Sequence, residues 1–393
     1  MIDFYKEAES IKDELIKIRR DIHEHPELGF EEERTSKLIK DFLLAEGIEF
    51  YSVAKTGVCA IIKGKSDSNK TIGVRADIDA LPIIDKKNCS YKSKTEGRMH
   101  ACGHDAHTAI LLGTGKILNK NRDLFSGNVK LLFEPAEETS GGAPIMIREG
   151  VLENPRVDAL IGLHVTENVD CGKIRIKKDM VNAASNAFVI KIHGKGAHGA
   201  HPNNSIDPIV IASHVIIGLQ TIVSREVSPV NPSVITIGSI HGGTAENIIP
   251  EEVIIKGTIR TATKEDRIFV TERVRQVTNG ICNTLRATAD IVIEEGYPYL
   301  YNDSDMTDSV IESAKGVIGI DNIMEQLNPS MGVESFAYFA NERPSAFYFL
   351  GTGNKIKKTD MPAHGSYFDI DEDSISIGVA LQCRIIADYL TRT

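Results

Sequence analysis

DALIGLHV, residues 158–165, is a nearly unbroken apolar run. Three others precede it: CAIIKG (59–64), TIGVRAD (71–77) and VKLLFE (129–134). A strand with one wet face alternates apolar and polar residues. These runs do not alternate, so both of their faces are expected to be covered. Helical patterns lie between them. Ile11, Leu15, Ile18 and Ile22 recur at helix spacing, with Ser10 and Asp13 at capping-box positions. A second helix carries Leu38, Phe42 and Leu43 and stops near Gly47. Doubly covered strands alternating with helices predict an α/β fold, with a mixed but mostly parallel sheet flanked by helices.

From residue 182 the pattern changes. NAFVIKIHG (186–194) alternates, with Phe188, Ile190 and Ile192 on one face. A helical run from Ile206 to Val223 follows, then strands at SVITIGSI (233–240) and EVIIKGTIR (252–260). A helix with Val270, Val274, Val277, Ile281 and Leu285 leads to a last strand, ADIVIEEG (289–296). This order is a split βαβ pattern, able to close as a small ferredoxin-like α+β domain. The α/β texture then returns in SAFYFLG (345–351) and in a final helix through Ile375, Val379, Cys383, Ile386 and Leu390. The expected organisation is a discontinuous larger domain, 1–181 and 297–393, interrupted by a smaller one at 182–296.

The 393 residues suit two or three domains at about 100–200 residues each. Forty-five Lys and Arg against fifty-five Asp and Glu leave a net charge of −10. Nucleic acids and anionic membranes require a basic surface, so neither is an expected partner. Six scattered cysteines contain no CxxC pair, which fits free thiols in the cytoplasm. The opening MIDFYKEAESIKDE is charged where a signal peptide is apolar, and no membrane-spanning run is expected.

In open α/β sheets, ligands bind beyond the carboxyl ends of the strands. Asp77 ends TIGVRAD with Asp79 two residues on, and MHACGHDAHTA (99–109) then enters a helix. Glu137 and Glu138 follow VKLLFE; His164 closes DALIGLHV; His364 lies in the loop after SAFYFLG. A thiol with imidazoles and carboxylates suits zinc, nickel, cobalt or manganese better than magnesium or calcium. Of two adjacent carboxylates, one can bind metal while the other moves protons. His107 shares a helix face with His104 and is open to two readings, rival ligand or support.

The segments RRDIHEHPELGFEE, GVRADIDALP, MHACGHDAHTA, FEPAEE, GLHV, GKGAHGAHPNNSIDP, ENIIPEEVIIKGTIRT, GVESFAYF and AHGSYFD match a known pattern in order and spacing. It is that of the binuclear metal aminoacylase/carboxypeptidase superfamily, and the chain most resembles its amidohydrolase branch. That branch includes hippurate hydrolases, indole-acetyl-amino-acid hydrolases and N-acetyl-diaminopimelate deacetylases. The resemblance implies two divalent metal ions (Zn, Mn, Ni or Co) held by Cys102, His104, Glu138, His164 and His364, with Cys102 bridging. It implies Glu137 as general base and acid acting on a metal-bound hydroxide, and His198 as a residue of the inserted lid domain that reaches the substrate carbonyl. Asn247 matches a position near the substrate. Arg260 is open as a solvated face residue or a substrate-carboxylate partner, and Asp77 is expected to orient a ligand histidine. The implied reaction is hydrolysis of N-acyl amino acids, N-acetyl or aromatic acyl, to a carboxylic acid and an amino acid. A carboxypeptidase or dipeptidase on the same centre is the alternative, and an inactive metal-containing binding protein a more distant one. An edge strand of the inserted domain is the expected seam of a homodimer. Two positions depart from the wider pattern: Arg75 stands where a histidine ligand is common, and Glu334-Ser335-Phe336 replaces Glu-Asp-Phe.

Overall fold

The computed structural model describes residues 2–139 and 141–391, with the backbone alone for Ser66 and Asp67. Helices α1 (Phe4–Ser10), α2 (Lys12–Glu24) and α3 (Glu33–Ala45) open the chain. Strands β1 (Glu49–Val53), β2 (Gly57–Lys63) and β3 (Ser66–Asp77) follow, then α4 (His104–Lys120) and β4 (Ser126–Glu134). Helix α5 (Ala143–Arg148) leads to β5 (Ala159–Asp170), β6 (Ile174–Ile176) and β7 (Asp179–Asn182). The second texture comprises β8 (Ala184–His193), β9 (Ala197–His198), α6 (Pro208–Thr221), β10 (Ser233–His241), β11 (Ile248–Ile249), β12 (Glu252–Thr261), α7 (Lys264–Thr284) and β13 (Thr288–Glu295). The chain closes with β14 (Leu300–Asn302), α8 (Ser304–Ile318), β15 (Ile323–Glu325), α9 (Phe336–Glu342), β16 (Ser345–Gly353) and α10 (Asp373–Thr391).

Two compact units result. One takes the chain up to Val181, Tyr301–Asn328, and Ser335 onward; the other takes Asn182–Leu300 and Pro329–Glu334. The six-residue return into the second unit carries no marker in the sequence. Backbone bonds such as Ala183 N to Ser330 O (2.9 Å) hold it there.

The first unit has an eight-stranded sheet in the order β1-β2-β4-β3-β5-β16-β6-β15. Its centre, β4-β3-β5-β16, is parallel. β1 and β2 form an antiparallel hairpin, and β2 also runs antiparallel to β4. The CAIIKG run therefore belongs to the mixed flank, because a short turn joins it to its neighbour. Apolar side chains seal the sheet against α2, α4 and α10, with Leu15, Ile110, Leu131, Tyr348 and Ile386 in one core.

The second unit has the sheet order β10-β12-β8-β13, antiparallel throughout. Phe188, Ile190 and Ile192 pack with Ile211, Val215, Val270 and Val274, which is the split βαβ arrangement.

Two local expectations change. Ser10 does not cap α2, because it closes α1 and its Oγ donates to Glu7 O (2.6 Å), while α2 starts after Ile11 with no side-chain cap. The segment Pro208–Glu226 is long and apolar enough to cross a membrane, contrary to the sequence reading. Its inner face, Ile211, Ala212, Val215, Leu219 and Ile222, is core of the second unit.

Candidate metal centre

The carboxyl ends of the parallel strands gather the side chains. Gly103 bridges the incoming loop to α4 at φ +89°, and a Cβ there would overlap Val165. Only glycine makes this turn, which places Cys102 and His104 on either side of it.

The histidines are oriented by what their second nitrogen does. His104 Nδ1 faces Asp79 O (2.9 Å) and Asp79 Oδ1 (3.2 Å), both acceptors, so Nδ1 carries the proton. Its Nε2 is buried and makes no hydrogen bond. His164 Nδ1 donates to Val165 O (2.6 Å), and its Nε2 lies 3.3 Å from Cys102 Sγ. Glu138 N donates to Asp79 Oδ2 (2.9 Å), and Glu138 Oε1 is buried without a hydrogen bond. His364 Nε2 approaches that oxygen at 3.3 Å and His104 Nε2 at 3.8 Å. The left-handed backbone of His364 (φ +62°) is fixed by its N–H to Ala101 O (2.8 Å).

Two constellations of metal-ligand spacing share the thiol. Cys102, His104 and His164 form one; Cys102, Glu138 and His364 form the other. In each, the donor atoms lie within 4.8 Å of one another. His104 with Glu137 and Glu138 makes a further group at the same place. Burial and the Glu138 charge push the Cys102 thiol far above its usual range. A thiol beside a carboxylate and three imidazole nitrogens is an arrangement that a divalent cation satisfies. The donor set therefore fits a metal.

Asp77, expected beside a ligand histidine, lies near His104 but takes its hydrogen bonds from other groups. Its Oδ1 accepts from His107 Nδ1 (2.5 Å) and its Oδ2 from Arg75 Nη1 (2.7 Å), whereas His104 Nε2 is 3.6 Å away. His107 Nε2 in turn accepts the Val165 N–H (2.8 Å), so both nitrogens are used and the ring is a support. Burial lowers its pKa to about 4, consistent with a neutral ring. The carboxylate that aligns His104 is Asp79, which the sequence places at the strand end without marking a role for it. The only signal was its place two residues after Asp77.

A sealed polar network runs behind the site. Arg75 Nε donates to Glu134 Oε2 (2.6 Å) and Arg75 Nη2 to Ser335 Oγ (2.8 Å); Ser335 Oγ donates to Glu134 Oε1 (2.6 Å). The Ser335 N–H then holds Glu137 Oε1 (3.0 Å). Arg75, in place of a ligand, thus becomes the hub of this network. Beneath α4, the buried Arg19 donates to Asp105 Oδ2 (2.7 Å) and Asp369 Oδ1 (2.8 Å), fixing the helix turn that bears His104.

In the second unit, His198 and Asn247 come together because β9 pairs with β11 and Gly199 N donates to Asn247 O (2.8 Å). They line a cavity of about 570 Å³ with Ile249 and Glu251. Arg260 donates to Met331 O (2.7 Å) through Nη1, so part of its fork serves its own unit.

The sequence model of peptidase family M20/M25/M40 matches residues 73–388. The N-acetyl-L-cysteine deacetylase of Bacillus subtilis is 42% identical over 93% of this chain and 86% of its own. Thermostable carboxypeptidase 2 of Saccharolobus solfataricus is 39% identical over 95% and 94%. Among solved structures, the Bacillus subtilis YXEP protein, a dinuclear metal binding peptidase, aligns at TM-score 0.84 with 35% identity, covering 97% of this chain and 99% of that one.

Proposed function

We propose that this chain, which belongs to peptidase family M20/M25/M40, is a metal-dependent amidohydrolase that cleaves N-acyl amino acids to a carboxylic acid and a free amino acid. The observation that carries this is the pair of ligand constellations sharing Cys102 and abutting Glu137. Cys102, His104 and His164 would hold one divalent ion and Cys102, Glu138 and His364 the second, with zinc, manganese, nickel and cobalt all suited to the donors. Bound there, the ions supply Lewis acidity for the amide carbonyl and acidify the attacking water.

The chain's own residues do the rest. Glu137, held by the Ser335 N–H, takes a proton from water at its carboxylate and returns it to the leaving amine. His198 is the proposed donor to the developing oxyanion, and Asn247, which shares its cavity, the proposed neighbour of the acyl group. The relative named as a deacetylase supports an acylated amino acid as substrate. The relative named as a carboxypeptidase favours a second reading, peptide cleavage on the same centre.

The exposed Ile209, Val210 and Ile217 on α6 and the edge strand β13 support a homodimer through the second unit. Six unpaired cysteines support a cytoplasmic home.

The test is a panel of N-acetyl and N-benzoyl amino acids and dipeptides, using protein loaded separately with each of the four metals. Glu137→Gln should retain metal and lose at least about 10²-fold in kcat. Near-normal turnover in that variant would remove Glu137 from its role, and faster cleavage of dipeptides would establish the second reading.

A further inference from the structure

The face of the sheet that carries His164 continues past the candidate metal centre. In register, Phe349 of β16 stands opposite His164 of β5 on one side and opposite Arg175 of β6 on the other. The three side chains therefore point to the same face. They are also the partly exposed members of their stretches: Leu163 and Val165, Tyr348 and Leu350, and Ile174 and Ile176 beside them are all buried. An accessible row thus crosses three strands. The Phe349 ring lies 6.4 Å from the His164 ring, and the Arg175 guanidinium sits 5.2 Å above the Phe349 centroid.

Arg175 is under-used for a residue in this position. Its Nη1 donates to Asn168 Oδ1 (3.0 Å), but its Nε is buried and makes no hydrogen bond. Burial lowers its pKa from the usual arginine value, and the carboxylate acting against that is Glu167. The Nε is sealed from solvent, so an anion reaches this guanidinium through its outer nitrogens; one hydrogen bond, to Asn168, engages them, and a carboxylate brings further acceptors.

The separation agrees with this. Two strand spacings place Arg175 roughly 10 Å from His164. That is about the span of an acyl carbonyl, its amide and the α-carboxylate, allowing a contact at either end.

We propose that Arg175 binds the free carboxylate of the substrate's amino-acid half, with Phe349 as the apolar floor beneath the linking atoms. This rests on the amidohydrolase reading and adds what that reading lacks, the residue that selects for a free carboxylate. Arg260, considered for this task from sequence, already serves Met331 O.

The test uses matched probes: N-acetyl-L-methionine and N-benzoylglycine, each as the acid and as the carboxamide. For the acids, Arg175→Gln should raise KM about 10- to 100-fold, with kcat within a few-fold of the unmodified protein. The amides should be unaffected, and Arg175→Lys should recover part of the loss. Calorimetric binding of the same pairs to Glu137→Gln protein should show the same acid-only loss. Equal losses for acid and amide, or an unchanged KM, overturn the assignment while leaving the amidohydrolase reading intact. If no probe is hydrolysed, the functional reading fails, and binding alone decides Arg175: acid-selective binding that Arg175→Gln abolishes upholds it, and its absence overturns it.

Discussion

Replacing Ser335 by alanine removes one hydroxyl from a network closed to water. That hydroxyl donates to Glu134 at 2.6 Å and accepts from Arg75 at 2.8 Å, and all three residues are fully or almost fully buried. Each is a neutral group bonded to a charged one, worth about 1.5–3 kcal/mol net. The two bonds share partners, so their loss is not the simple sum. The expected destabilisation is about 2–4 kcal/mol. Turnover should also fall, by about tenfold: alanine keeps the N–H that holds Glu137 but loses the hydroxyl that anchors that backbone to Glu134 and Arg75. The chain has no tryptophan, so far-UV circular dichroism is the practical probe for urea unfolding, run alongside steady-state kinetics. Ser335→Thr, which keeps the hydroxyl, should lie close to the parent. A stability change under about 0.5 kcal/mol with unchanged kcat would show that this serine does not knit Glu137 to the Arg75 network.

Asp79→Ala should lower metal affinity about 10- to 100-fold in a chelator competition, since Asp79 aligns both His104 and the Glu138 backbone; unaltered affinity would show that the alignment is dispensable. Arg19→Leu takes the guanidinium from two buried acids, leaving Asp105 with His23 and Asp369 with Tyr91 and Lys87, and should cost about 3 kcal/mol in urea unfolding. A change below about 1 kcal/mol would mean that those remaining partners suffice. Burial alone would raise the Asp369 carboxyl, but Arg19 and Lys87 more than offset this and hold it at about 2. A depressed carboxyl stabilises the fold above its ordinary pKa and loses that contribution as pH falls. About 2 kcal/mol should therefore disappear between roughly pH 4 and pH 2, and unfolding curves taken across that window should show it. The dependence should shrink when Asp369 is replaced by Asn, and an identical profile in that variant would assign the acid sensitivity elsewhere.

The sequence disclosed those parts of the molecule in which neighbours in the chain do the work. The apolar runs at 71–77, 129–134 and 158–165 became β3, β4 and β5 because covered strands need nothing beyond their own hydrophobicity to be recognised. Cys102, His104, Glu138, His164 and His364 were expected together from the motif resemblance, and the structure brings their donor atoms into neighbouring groups. Long-range partnerships were invisible. Asp79 rather than Asp77 holds His104, a choice settled by how the chain turns after β3. Ser335 reaches Arg75 across 260 positions, so its departure from the family pattern had no readable meaning. Strand β5 runs six residues past His164, where TENVD looks like loop. Arg175 lies in KIRIKK, which by composition is a solvated charged strand. Only the register with β16 sets it in line with His164.

If Cys102 joins two metal positions, anomalous diffraction from crystals of the zinc-loaded protein should show two peaks per chain, both within bonding distance of Cys102 Sγ, one beside His104 and His164 and the other beside Glu138 and His364. A single peak, or peaks away from Cys102, would contradict that bridge.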